Sequence, residues 1–461
     1  MGRRLSRVDR AVPPPPGAIR PFLFPAFLRT QLPNGLTVFA ARLAGVPLVS
    51  LELVVPAGGQ YDPEGKEGLA TLTASVIDEG TEGLSSLEIA ASLERLGGYV
   101  TTGADWDVGY LAAGLLARHL RSGLELLAEI ATAPTFPQSE IERLRRQRLA
   151  EILRRSQDPS ALADDCLSRA IYRGTVYAGS LLGGEKSVSS LDRDSMLEFY
   201  RRHYTLSGSA LIAVGDFEPT ELLREAESLL GRREGAAAPP GLPEIRLEPL
   251  PGITVHIVDR PGAAQTELRL GHPGMSRTHP DYVPLMVMNT LLGGKFTSRI
   301  NLNLRERHGY TYGATSRFVP RQGPGPFVVG AAVATESAGA AAREALSELR
   351  RIREGLVEPD ELEETRSYMI GVFPYTVQTI GDVAKRLETL AVYGLPDDYF
   401  DSYLQRLAEV TREEILDVSR RHLDPERMAI VAVGPTEALE PQFEGLGPVK
   451  VWSPQGQAQL V

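Results

Sequence analysis

A pattern recurs along this chain after 219 residues. From Leu191 the sequence reads L-D-R-D-S-M-L-E-F-Y-R-R-H-Y and, shortly afterwards, A-L-I-A-V-G; from Val410 it reads V-T-R-E-E-I-L-D-V-S-R-R-H-L and then A-I-V-A-V-G. Arg193 aligns with Arg412, Arg202 with Arg421, His203 with His422 and Gly215 with Gly434, all at the same offset without a gap. Two halves of common descent are the simplest account, so the chain must fold as one architecture made twice. Its 461 residues also exceed what a single hydrophobic core usually supports.

Each copy carries the same local signals. Asp192 or Thr411 is placed to cap a helix, acidic residues fill the first turn, and arginines end the helix where its dipole is negative. A short apolar strand follows, Ala210 to Val214 or Ala429 to Val433, stopped by glycine. The halves also open alike, with N-G-L-T-V at Asn34 and P-G-I-T-V at Pro251, each leading to a further strand, Ser50 to Val55 or Thr266 to Leu270. Leu87 to Leu96, Leu115 to Ile130 and Ser139 to Arg155 show the three and four spacing of amphipathic helices. The alanines and prolines of residues 231–251 read as a linker. The expected division is an N-terminal extension (1–30), a first domain (31–230), the linker, a second domain (252–450) and a tail (451–461). The fold class is α+β, two homologous domains each with helices layered against a sheet.

Composition excludes several functions. A formal net charge of −10 gives no general attraction to nucleic acid or anionic lipid. The single cysteine, Cys166, rules out an internal disulfide and a cysteine-clustered zinc site. No apolar run reaches the length of a membrane span and the first residues lack the apolar core of a signal peptide, so a cytoplasmic protein is expected.

The residues in order resemble a known family over nearly the whole length. The carrying segments are N-G-L-T-V at Asn34, A-G-G at Ala57 leading to G-L-A at Gly68, E-G-T at Glu79, F-Y-R-R-H-Y at Phe199, L-L-G-G at Leu291 and L-N-L-R-E-R-H-G-Y-T-Y at Leu302. Together they resemble the M16 zinc peptidases, of the pitrilysin and mitochondrial processing peptidase type. The resemblance implies, in each domain, a mixed and mainly antiparallel sheet covered by helices. In active members G-L-A leads into H-x-x-E-H, two histidines one helical turn apart that bind zinc and a glutamate that serves as general base. Here those positions hold Thr71, Ala74 and Ser75, and none can do that chemistry. The family's third ligand, a glutamate, falls on Glu151, but the acidic position near it is Leu144. Read from its own surroundings, Glu151 is a solvated carboxylate interleaved with Arg148 and Arg154. The seven histidines form no H-x-x-E-H or H-x-x-x-H pair, and His272 and His279 bracket H-P-G-M-S-R-T-H, which reads as a loop. No metal is expected in this chain.

The second half keeps what the first has lost. By resemblance, Arg305 grips a substrate carbonyl and Tyr312, seven residues on, stabilises the oxyanion, both reaching across to the first domain's zinc site. The spacing alone carries no information, because both residue types are common; its place in the second repeat does. Gly293, Gly294 and Lys295 resemble the glycine-rich substrate loop of the family's non-catalytic subunits, with a plain turn as the competing reading. A near match to a phosphate loop at Ala178 is spoiled by Glu185. The favoured function is therefore a non-catalytic subunit that joins a zinc-bearing H-x-x-E-H partner in a heterodimer and acts on peptides. The alternatives are an inactive structural paralogue and a stand-alone hydrolase built around Glu151.

Overall fold

The computed structural model describes residues 22–231 and 241–453. Most of the expected extension, the middle of the linker and the last part of the tail lie outside the described residues. Strands β1 (Phe27–Gln31), β2 (Thr37–Arg42), β3 (Leu48–Val55), β4 (Tyr99–Ala104), β5 (Gly109–Leu116) and β6 (Ala210–Gly215) form one sheet. Strands β7 (Thr254–Asp259), β8 (Gln265–Pro273), β9 (Thr311–Phe318), β10 (Pro326–Ala334), β11 (Ala429–Gly434) and β12 (Val449–Trp452) form a second. Their orders are β1-β2-β6-β3-β5-β4 and β12-β7-β11-β8-β10-β9.

The two orders superpose element by element. Parallel pairing joins β2 to β6 and β7 to β11, and antiparallel pairing continues through β3, β5 and β4 or through β8, β10 and β9. The copies differ at one edge. β1 precedes β2 and runs antiparallel to it, whereas β12 follows β11 and lies parallel to β7. Asp192 caps its helix by accepting from the Ser195 N–H, and Thr411 does so within a capping box to Glu414. One expected helix starts later than its pattern suggests: Leu115 and Leu116 end β5, and the helix begins at Leu120. Leucines alternating inward and outward suit a strand as well as a helix, and the polar Arg118 and His119 mark the change.

Each sheet is apolar on both faces. One face packs on helices of its own half. The other is covered by a helix from the opposite half. Helix Pro159–Ile171 lays Ala163, Cys166, Leu167 and Ala170 on Val431 and Val433 of β11 and Val328 of β10. Helix Ile380–Tyr393 lays Val383, Leu387 and Leu390 on Ile212 and Val214 of β6 and Val54 of β3. This exchange explains why β6 and β11 are buried at every position and read as continuous apolar runs. It also accounts for Cys166, 2% exposed, whose thiol burial pushes up to about 12, far from reactivity.

Polar locks accompany the exchange. The Arg321 guanidinium, carried by the loop between β9 and β10, sits among the rings of Trp106, Tyr172 and Tyr177 at 4.8, 5.7 and 4.5 Å. Asp107 accepts from the Gln322 backbone N–H at 3.0 Å and from the Tyr393 hydroxyl at 3.1 Å. Phe22 and Phe24 pack on Phe373 and Phe400 of the second half. Beside these, Glu52 on β3 faces Glu388 and Lys385 of helix Ile380–Tyr393. Burial raises its carboxyl to about 7, with Glu388 adding to the rise and Lys385 opposing it.

Because neither sheet keeps both faces covered alone, the halves unfold together. Chain variants retaining only Trp106 or only Trp452 will give coincident chemical denaturation curves, and Leu387→Ala will lower stability by about 2–5 kcal/mol; two separated transitions would contradict the reciprocal packing. A carboxyl with a higher pKa in the folded state holds its proton better there, so its contribution is favourable at low pH and is lost as pH rises toward and through about 7. His203 and His256, pushed down to about 4 by burial, act in the opposite sense and are common to both chains, so the comparison isolates Glu52. Stability measured between pH about 6.5 and about 8 should therefore fall less steeply in Glu52→Gln than in the parent chain.

Candidate functional site

The helix Leu69–Val76 carries the three zinc-site positions. It begins at Gly68, whose φ of +92° lies in the left-handed region and where a Cβ would come within 2.6 Å of the Leu182 carbonyl oxygen, so only glycine fits. Asp62 closes the same end by accepting from the N–H groups of Gly68 and Ala70, both at 2.8 Å. Thr71 and Ser75, four residues apart, share one face, and the fully buried Ala74 packs inward.

That shared face is occupied by a cation supplied by the chain itself. From helix Gln138–Arg155, the Arg148 guanidinium donates to Thr71 Oγ1 at 2.7 Å and to Ser75 Oγ at 3.4 Å. Its Nε lies 3.4 Å from Glu151 Oε2. The position that matches the third ligand thus serves as counterion to Arg148, while Leu144 packs into the first core. Burial holds the Arg148 guanidinium below its ordinary value, with Glu151 working against that shift, and arginine stays charged regardless. Thr71 Oγ1 completes its bonding by donating to the Gly68 or Leu181 carbonyl at 3.1 Å, and Ser75 Oγ donates to the Thr71 carbonyl at 2.8 Å. Two hydroxyls, a guanidinium and one carboxylate are a self-satisfied set that does not fit zinc. Glu151 has no histidine partner among the described residues, which leaves the stand-alone hydrolase without a base pair. Sequence reasoning placed Arg148 beside Glu151, as the structure does, but missed its reach to Thr71 and Ser75, which depends on how the two helices meet.

Arg305 and Tyr312 lie elsewhere, the arginine half-buried and the tyrosine open. Arg305, in the helical segment Leu302–Arg307, places its guanidinium 4.6 Å from the Phe296 ring centre and 3.5 Å from Glu306 Oε1. Tyr312, on the edge strand β9, is 89% exposed, and its hydroxyl has no partner among the described residues. Among the described residues no hydrogen bond or ion pair joins either residue to Thr71, Ser75, Arg148 or Glu151. Gly293 and Gly294 end the helical segment Thr290–Gly294 rather than forming an open loop. Gly293 packs so closely on β9 that a Cβ would stand 2.5 Å from the Ser316 nitrogen. The Lys295 ammonium is buried against Glu364 Oε1 at 2.9 Å.

If Arg148 fills the metal's place, restoring the ligands alone will not restore zinc. Thr71→His, Ala74→Glu and Ser75→His together should leave zinc content equal to that of the parent chain, and adding Arg148→Ala should raise it by one ion per chain, read by elemental analysis. Gain of zinc with Arg148 still present would overturn the assignment.

Comparison with known proteins agrees with this site. Residues 38–185 match the family model described as insulinase, peptidase family M16, and residues 190–369 match the model described as the peptidase M16 inactive domain. An uncharacterized zinc protease of Rickettsia bellii is 25% identical over 342 residues, covering 73% of this chain and 81% of that protein. A Helicobacter pylori protein described as a non-peptidase homolog, YmxG, is 23% identical over 387 residues, covering 82% and 87%. The crystal structure of a peptidase M16 inactive domain from Pseudomonas fluorescens aligns with a TM-score of 0.82 at 26% identity, covering 89% of this chain and 98% of that one. With both family models matched in sequence order and the metal positions filled by the chain's own side chains, this protein belongs to the M16 peptidase family as a member of the inactive type.

Proposed function

We propose that this chain is the non-catalytic subunit of a heterodimeric zinc endopeptidase, contributing Arg305 and Tyr312 to peptide bound at a partner that carries H-x-x-E-H. The observation that carries this reading is a contrast: the degenerate zinc-site positions are sealed by Arg148, while Tyr312 is open to solvent and Arg305 keeps a partly exposed guanidinium. Phe296, 63% exposed, and Leu302, 42% exposed, lie beside Arg305, so a patch of aromatic, apolar and arginine side chains faces outward at one edge of the second sheet. This is the composition that anchors protein and peptide partners. In the assembled pair Arg305 grips a substrate carbonyl with its planar fork, and the Tyr312 hydroxyl donates to the oxygen on which charge develops. Gly293, Gly294 and Lys295 enter as support: they fix the segment leading to Arg305 against β9 and Glu364 rather than offering a face to peptide. The catalytic zinc belongs to the partner.

The test uses the pair purified together from the source cells. Tyr312→Phe is expected to lower turnover by about 10²–10³-fold and Arg305→Ala to lower kcat/KM by a similar factor, with zinc content and assembly unchanged. Unaltered turnover would refute the proposed roles, and a stable pair without any peptidase activity would favour a structural paralogue.

A further inference from the structure

A second group of side chains with metal chemistry lies far from the M16 positions. His279 and Asp281 follow β8, and His422 ends helix Arg412–His422. One donor atom from each of the three lies within 4.8 Å of the others. His422 Nε2 is 2.7 Å from Asp281 Oδ2, across 141 residues of sequence. His279 Nδ1 is 3.8 Å from the same oxygen and accepts the Asp281 backbone N–H at 3.1 Å, a bond that ligation through Nδ1 would replace. The two imidazoles meet edge to face at 4.9 Å. Asp281 and His422 side chains are each 14% exposed and His279 is 36% exposed, so the group is fixed at its base and open at one side.

We propose that His279, Asp281 and His422 form a binding site for a divalent transition-metal ion, with zinc as its natural occupant. Two imidazoles and a carboxylate suit zinc and its first-row neighbours, and are a poor match for calcium or magnesium, which take oxygen ligands. The ion takes the place of the proton now shared between His422 Nε2 and Asp281 Oδ2. The open side leaves room for water as the fourth ligand. One competing cation is present: Arg421 also donates to Asp281 Oδ2. Its side chain is half-exposed and already reaches Asp417 Oδ2 at 3.1 Å, so it has a carboxylate to move to. The site clips the segment after β8 to the end of a helix distant in sequence. It is specific to the second half. At the repeat offset of 219, His422 corresponds to His203, but His203 is stacked on Phe199 with Nδ1 against the Pro56 carbonyl.

The experiment is calorimetric titration of zinc chloride into the full chain alone, after treatment with chelator and its removal. One ion is expected per chain, with Kd rising at least about tenfold in His279→Gln and in His422→Gln and unchanged in His119→Gln, a histidine remote from the group. His279→Gln changes the most exposed of the three ligands, and thermal unfolding of each variant without metal shows whether its fold is kept. A raised unfolding temperature on adding zinc, present in the parent and absent in His279→Gln, is the second readout. Absence of one-to-one binding by the parent, or parent-like affinity in the folded His279→Gln chain, would overturn the site. Neither result bears on Arg305 or Tyr312, whose test requires the assembled pair.

Discussion

The reciprocal exchange of helices between the two sheets is the constraint on which the rest of the molecule depends. A six-stranded sheet with both faces apolar cannot be left half covered, and in each half one face is covered by a helix of the other half. Helix Pro159–Ile171 and helix Ile380–Tyr393 cross over and complete the other's core. The polar contacts at Asp107 and Arg321 then form at positions the apolar packing has already fixed, which is why a buried arginine among three aromatic rings is tolerated there.

Within that frame, the helix face that carries H-x-x-E-H in active members of the family is closed here by polar partners from the chain itself. The chain fills the space with a guanidinium and supplies two hydroxyls that accept from it, keeping one carboxylate as counterion. Charge, donors and acceptors remain balanced, so the helix Leu69–Val76 keeps its place without metal.

Much of the fold was legible from the repeat. Residues sharing the 219 offset fixed β6, β11 and their preceding helices, down to Asp192 and Thr411 as caps, because these signals depend only on neighbours in sequence. The differing edge strands β1 and β12 were not legible, since an edge strand is chosen by which segment returns to the sheet. The helix exchange was hidden for a similar reason: Ala163, Leu167 and Ala170 advertise an apolar face without saying which sheet it meets. Thr71, Ala74 and Ser75 were correctly placed on one buried helix, but Arg148 entering their midst depends on the angle between two helices. His279 looked like part of a loop because its neighbours Asp281 and His422 come together only through tertiary packing.

The exchange also bears on how such a chain could have arisen. Before duplication, a single half would have exposed one apolar sheet face and carried a helix suited to cover the same face on another copy. Two identical copies trading that helix about a two-fold axis satisfy both needs at once. The present molecule is what such a symmetric dimer becomes when its subunits are joined end to end, and joining freed the two copies to diverge, one burying Arg148 against two hydroxyls and the other setting His279 and Asp281 beside His422, whose counterpart His203 is stacked on Phe199.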